Sequence, residues 1–375
     1  MLKVEDTLFN VYLCLEEFDL GFKDLWNLQL KKVNNALISF LDEKIKKAEK
    51  ISPVNVQFYK DIKEFVLRGG KRLRPVGLVF AYEGVGAKYK GNVYRASLCV
   101  ELLHNSTLVH DDIIDHDELR RGGPTFHVLY RDRFREEFGD VAAEDFGVAM
   151  GILGGDLIWN LGLEAILTSG FPSDQRVEAA RLFQKAFQNV VDGVLYESFL
   201  AKRGDVSEEE YMLMIKLKTA CLFEKSLLIG AVLGGGTEEQ MRALSGYAIK
   251  VGQAFQIQDD ILGSFGKEEV TGKPADSDIK EGKRTILVVK ALETLEEKER
   301  EKMLNILGRS DATPDEVNFV RDMFVKSGAL DYAKRKAFKL KDEAKELLKQ
   351  ADPPLSPDAE KFFLDLADFV VSRIY

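Results

Sequence analysis

The chain has 375 residues, 45% of them hydrophobic and 31% charged, enough apolar material for one large domain or two ordinary ones. Its net charge of -9 argues against a nucleic-acid binder, and an anionic substrate must be drawn in by local clusters of Lys and Arg rather than by the overall field. Cys14, Cys99 and Cys221 are far apart and form no CxxC pair, which fits a reducing cytoplasm better than a secreted disulfide framework. No unbroken apolar run reaches the roughly 18–20 residues of a membrane span, and acids are scattered through the N-terminus. A soluble, cytoplasmic protein without a signal peptide is expected, with peripheral membrane contact left open.

Residues 1–25 stand apart as an N-terminal extension, either an extra helix or an arm. Leu30, Val33, Leu37, Phe40 and Leu41 then recur at three and four, the stripe of an amphipathic helix that stops before Ser52-Pro53. Val93, Ala96, Val100, Leu103 and Thr107 keep the same period into an acidic run at 111–118. Apolar segments at about 141–168, 175–203, 208–234 and 238–265 exceed ordinary strand length and lack period-two alternation. Residues 314–375 read as three further helices, the last starting after Pro353-Pro354-Leu355-Ser356. The fold class expected is all-α, a large multi-helix bundle, with residues 26–375 forming a single domain.

The richest stretch is LVHDDIIDHDELRRGGPTFH at 108–127. Asp111, Asp112, Asp115, Asp117 and Glu118 crowd the C-terminal end of an apolar helix, where the helix dipole is already negative and like charges repel. Such conflict is tolerated mainly where function compensates it. Asp111 and Asp115 are one turn apart and share a face, an arrangement of hard oxygens suited to Mg2+. Arg120 and Arg121 follow directly and supply phosphate-binding forks. A solvated acidic helix end with local ion pairs is the bland alternative.

A second acidic pair, Asp259 and Asp260, again ends an apolar helix, so the two pairs can face each other across a cavity. Lys273 in TGKP and Lys283 in EGKRT then supply cations from a loop able to close over a site; the alternative is a charged surface loop. Near the start, RGGKRLRP at 68–75 sets Lys71, Arg72 and Arg74 around a double glycine that lets backbone approach an anion. Lys218-Thr219 interrupts an apolar helix, where a Lys more often snorkels than catalyses. All four histidines fall between 104 and 127. His104 lies on the apolar side of its helix, and phosphate contact is preferred for it over a transition-metal site.

Together these stretches resemble the trans-type polyprenyl diphosphate synthases, which include the farnesyl and geranylgeranyl diphosphate synthases. The resemblance rests on GGKRLRP at 69–75, LLH at 102–104, DDIID then RRG at 111–122, GD at 155–156, KT at 218–219 and FQIQDD at 255–260, with TGKP and GKRT beyond, and it covers about residue 30 to the end. It implies a bundle around a deep central cavity, usually a homodimer. It implies that Asp111 and Asp115 hold two Mg2+ on an allylic diphosphate with Asp112 in support, and that Asp259 holds a third. It gives Arg120, Lys218, Lys273 and Lys283 to the same diphosphate, Lys71, Arg74, His104 and Arg121 to isopentenyl diphosphate, and Thr219 and Gln256 to the neighbourhood of the reacting carbon. The second motif departs from the pattern: DDILG carries Gly263 where many members have a third Asp.

Within that resemblance, Thr107 and Ser106 lie about 6–8 Å down the helix from Asp111, and both are small where early-stopping members often carry an aromatic. Growth past fifteen carbons is expected, with Leu103 or Cys99 deeper as a floor; geranylgeranyl diphosphate is favoured and longer products stay open. Three rivals remain. A metal-dependent phosphohydrolase would need additional His/Asp ligands on separate helices, and no histidine occurs outside 104–127. A terpene cyclase or head-to-head condensing enzyme would not need RGGKRLRP. A catalytically silent regulatory subunit would have eroded carboxylates, yet Asp111, Asp112, Asp115, Lys218 and Asp259 all remain.

Overall fold

The computed structural model describes residues 20–266 and 276–372. Lys273 and its TGKP run lie outside the described residues, as does the N-terminal extension up to residue 19. The described chain divides into two compact units, one of residues 20–184 with 228–236 and the other of residues 185–227 with 237–372.

The first unit begins with α1 (Leu20–Ala48), whose stripe is buried as the periodicity requires: Val33, Leu37, Phe40 and Leu41 are almost wholly out of solvent. The stripe reaches back to Phe22 and Trp26, which meet edge to face at 5.5 Å, so residues 20–25 continue the same helix. Each fully buried side chain of this size contributes roughly 1.5–3 kcal/mol. α2 (Pro53–Leu67) starts where Ser52 Oγ accepts the Asn55 amide at 3.2 Å with Pro53 at its first position, and α3 (Leu73–Gly84) follows. α4 (Val93–Ile114) carries the first acidic cluster at its C-terminal end.

A two-stranded hairpin, β1 (Leu119–Arg120) with β2 (Gly123–Pro124), comes next. Its turn puts Arg121 and Gly122 at positive φ, 52° and 74°, as a two-residue hairpin turn demands. α5 (Phe126–Phe138) and α6 (Asp140–Leu167) complete the arrangement, with α6 packed on α4 and α5. α6 is long and apolar enough, by length and composition, to cross a membrane. On one face a run of glycines admits side chains of the neighbouring helices. A Cβ at Gly155 would fall 2.1 Å from His110 Nε2 of α4.

α7 (Ser173–Arg203) passes from the first unit into the second. α8 (Glu208–Ile215) opens with a capping box between Ser207 and Glu210. It runs into a π-helical turn, Lys216–Ala220, before α9 (Cys221–Gly234). α10 (Glu238–Phe265) has a second capping box, Thr237 with Gln240, and ends in the second acidic pair. α11 (Ser277–Glu281), α12 (Ile286–Thr294), α13 (Glu297–Ile306), α14 (Pro314–Lys326), α15 (Ala329–Leu348) and α16 (Pro357–Val371) follow. α15 packs along α10 and presents Ala333, Ala337, Leu340, Ala344 and Leu348 to the core. Apart from the hairpin the described chain is helical, and the all-α expectation holds.

Candidate active site

In the first unit the loop at 68–75 is held by a buried brace. Arg72 takes a left-handed backbone (φ 49°) just before α3, and its guanidinium pairs with Glu101 of α4 and donates to the Val66 carbonyl at 2.8 Å. Both side chains are nearly solvent-free. Such a pair adds little net stability, since desolvation offsets the attraction, but losing one partner typically costs 3–5 kcal/mol. It therefore acts as a rigid clamp. Burial alone would raise the Glu101 carboxyl, yet Arg72 and then Arg121 outweigh it and hold it below its usual range.

The clamp extends toward the expected substrate residues. Asn105 Nδ2 donates to Glu101 Oε1 at 2.9 Å, and Asn105 Oδ1 accepts from Arg121 Nη1 at 3.5 Å. Arg121 also reaches the Gly69 carbonyl at 3.4 Å, so the hairpin turn and the double-glycine loop come together. His104 lies among these cations. Burial first, then Arg74, Arg121, Arg120 and Arg72, push its imidazole well below its ordinary pKa, so it is neutral and offers one N–H and one lone pair.

The three aspartates of DDIID separate by environment. Asp112 is fully buried and paired with Arg120, whose other nitrogen reaches Asp117 Oδ2 at 3.1 Å. Burial outweighs Arg120 and lifts the Asp112 carboxyl to about 7. Asp111 is half-buried and Asp115 exposed, one turn apart at the helix end. Arg120, expected on a phosphate, is thus engaged by acids of its own cluster here. Of the remaining histidines, His110 Nε2 stands 3.5 Å from Asp156 Oδ1 and His127 Nδ1 is 3.3 Å from Thr125 Oγ1. On the inner turns of α4, Ser106, Leu103 and Cys99 are fully buried, and Thr107 is half-buried with its hydroxyl donated to the His104 carbonyl at 2.8 Å.

In the second unit, a cavity of about 340 Å3 gathers Lys218, Gln256, Asp259, Asp260 and Lys283. Lys218 and Thr219 sit on the π-helical turn, a distortion that recurs at functional sites. Lys218 pairs with Glu197 of α7. Thr219 Oγ1 donates to Gln256 Oε1 at 2.7 Å, Gln256 Nε2 donates to Asp260 Oδ1 at 2.9 Å, and the Tyr211 hydroxyl donates to Asp260 Oδ2 at 2.7 Å. Both Asp260 oxygens are therefore used inside the protein, and burial together with Asp278 raises this carboxyl to about 7. Its neighbour Asp259 is half-exposed and lines the cavity.

Asp278 is the residue that motif reading missed. Its carboxylate lines the same cavity, accepts from Lys283 Nζ at 3.1 Å, and occupies the space where a side chain at Gly263 would begin. Burial lowers and Asp278 and Glu281 raise the Lys283 ammonium, and the acids win. Glu197, Tyr211 and Glu101 were missed as well, each being an acid or aromatic at helical spacing with no motif around it.

The donor set fits Mg2+. Among the described residues no three His, Cys, Asp or Glu side chains form a closed cage. Mg2+ is usually held by one or two carboxylates with phosphate oxygens and water completing the shell. Asp111 with Asp115, and Asp259 in the other unit, offer that kind of partial, oxygen-only coordination.

Comparison with known proteins agrees with this architecture. The polyprenyl synthetase family model matches residues 56–324. The chain belongs to the polyprenyl synthetase family. A short chain isoprenyl diphosphate synthase of Methanothermobacter thermautotrophicus is 36% identical over 333 residues, 88% of this chain and 95% of that protein. A geranylgeranyl diphosphate synthase of Saccharolobus solfataricus is 37% identical over 307 residues, 81% of this chain and 87% of that protein. Among solved structures, the geranylgeranyl pyrophosphate synthase of Corynebacterium glutamicum, complexed with isoprenyl diphosphate and magnesium, superposes with a TM-score of 0.86 at 26% identity, covering 95% of this chain and all of that one. These polyprenyl synthetase relatives fit the all-α fold.

Proposed function

We propose that the chain condenses isopentenyl diphosphate with dimethylallyl, geranyl or farnesyl diphosphate, in a Mg2+-dependent reaction that ends at geranylgeranyl diphosphate. One observation carries the reading: neutral His104 lies among Arg72, Arg74, Arg120 and Arg121 on the helix whose end carries Asp111 and Asp115. An anion-binding cluster around His104 and a hard-oxygen pair at the end of the same helix suit a substrate that brings both phosphate and Mg2+.

Asp111, Asp115 and Asp259 would hold the metal, three ions per site in the proposal. What Mg2+ supplies when bound is neutralisation of charge on a departing diphosphate. The remaining work falls to side chains. Lys218, Lys283, Arg120 and Lys273 donate to the phosphate oxygens of the allylic substrate, stabilising charge as the carbon–oxygen bond opens. Lys71, Arg74, His104 and Arg121 orient isopentenyl diphosphate, with Arg121 and the loop fixed by the Glu101–Asn105 brace. Thr219 and Gln256 lie beside the reacting carbon. Apolar residues on the inner turns of α4, Leu103 and Cys99 among them, exclude water from the allylic cation. The proton lost from the new carbon chain passes to the departing diphosphate, so no side-chain base is required.

The product length is supported by the names of the relatives and by small Ser106 and Thr107 on α4. Family resemblance supports a cytoplasmic homodimer in which residues 26–375 serve as one catalytic domain. The experiment is release of pyrophosphate from isopentenyl diphosphate plus each primer, with Mg2+ and with a chelator. Turnover that requires both substrates and Mg2+ supports the reading; hydrolysis of one substrate alone sinks it.

A further inference from the structure

We infer that Arg284 and Thr285 form an additional anion grip in the cavity of the second unit, taking phosphate oxygens of the diphosphate released in the reaction. The inference rests on the polyprenyl synthase reading and extends its phosphate contacts to two residues outside the motif roles assigned above.

An imbalance of pairing points to it. Among the described residues, three cationic side chains line this cavity: Lys218, Lys283 and Arg284. Lys218 is matched by Glu197, and Lys283 by Asp278 and Glu281. Among the described residues no acid pairs with Arg284, and burial lowers its guanidinium. Its Nε and Nη1 are shut off from solvent and make no hydrogen bond among the described residues. A cation desolvated without a counter-charge destabilises a fold unless something else compensates it.

Thr285 makes the same point independently. It is 5% exposed, lines the same cavity, and its Oγ1 has no hydrogen-bond partner among the described residues. The residue stands at the N-cap of α12, where a Thr hydroxyl ordinarily accepts a backbone N–H, yet it makes no such bond. Two consecutive residues that line one cavity therefore carry buried donors without acceptors among the described residues. A metal ion would be repelled by the guanidinium, and a hydroxyl beside an Arg fork matches phosphate oxygens. A brace on the carbonyl end of α7 is the structural alternative, since a Cβ at Gly204 would stand 3.4 Å from Arg284 Nη2. Nε and Nη1, however, bond to no carbonyl there.

The test is calorimetric binding of inorganic pyrophosphate with Mg2+ to the full chain and to Arg284→Ala, Arg284→Lys, Thr285→Val and Lys283→Ala, with ligand-free melting of each. Arg284→Ala is expected to weaken pyrophosphate roughly 10–100-fold, as for a lost charged hydrogen bond, while its ligand-free Tm stays level or rises because a half-buried cation without a counter-charge is gone. Arg284→Lys should recover part of the affinity, and Thr285→Val should cost roughly 2–10-fold. If Arg284→Ala binds like the parent while Lys283→Ala is weakened, the grip is refuted and the synthase reading stands. A fall of several degrees in ligand-free Tm with unchanged affinity makes Arg284 a brace and also refutes it. If the parent chain itself takes up no pyrophosphate, the synthase reading falls and the inference with it.

Discussion

A Cβ at Gly263 would lie 2.1 Å from Asp278 Oδ2. The carboxylate of Asp278 thus fills the space that a side chain at 263 would need, beside Asp259 in the same cavity. An acid from after the loop therefore stands where the side chain of a third motif residue would begin. Gly263→Ala is expected to push Asp278 away and cost about 1–3 kcal/mol, as overpacking does. Asp278→Ala added to it should restore most of that loss. Urea midpoints of the single and double variants decide this; purely additive losses would mean that the two positions do not compete for space.

Asp111 and Asp115 stand at the end of α4, half-buried and exposed, so neither is needed for the core. Alanine at either is expected to lower kcat by at least about 100-fold, roughly 3 kcal/mol of transition-state stabilisation, with an unchanged helical spectrum. A near-normal rate for Asp115→Ala would remove that residue from the metal set.

Ser106 is fully buried, and its Oγ makes no hydrogen bond among the described residues. An aromatic side chain there must displace its surroundings. Ser106→Phe is expected to shorten the product, with a stability loss of about 1–3 kcal/mol. Product sizing by chromatography checks it, and an unchanged chain length would place the limiting wall elsewhere.

Glu208 supplies a test of pH dependence away from the reaction. Burial would raise its carboxyl, but hydrogen bonds from Lys290, Lys336 and Tyr332 outweigh that and hold it at about 2 against an ordinary 4.5. Because the folded value is the lower one, the stabilisation is complete above the unfolded pKa and is lost as pH falls from about 4.5 to about 2. Allowing for solvent screening, the loss should be roughly 1–2 kcal/mol. Glu208→Gln should flatten that part of the stability–pH curve, and a parallel curve would contradict the assignment.

Much of the fold was legible because helical periodicity is dictated by burial: the stripe of α1, the stop at Ser52-Pro53 and the three C-terminal helices all appear where the apolar spacing puts them. Motif residues were legible where unusual composition marks them, as in Asp111, Asp115 and the Gly-Lys-Arg loop. What stayed hidden depends on contacts between distant segments. Glu101 looks like any helix acid until Arg72 is seen against it, and Asp278 looks like a surface residue until Gly263 leaves room for it. The pairing of Arg120 with Asp112 is hidden in the same way, because the sequence does not show that Asp112, one position from Asp111, is buried.

The most direct measurement is product sizing after incubation of the purified chain with labelled isopentenyl diphosphate, Mg2+ and each of dimethylallyl, geranyl and farnesyl diphosphate. The account predicts elongation from all three primers, converging on a twenty-carbon diphosphate. No elongation from any primer by folded protein would contradict it and leave a catalytically silent member of the family.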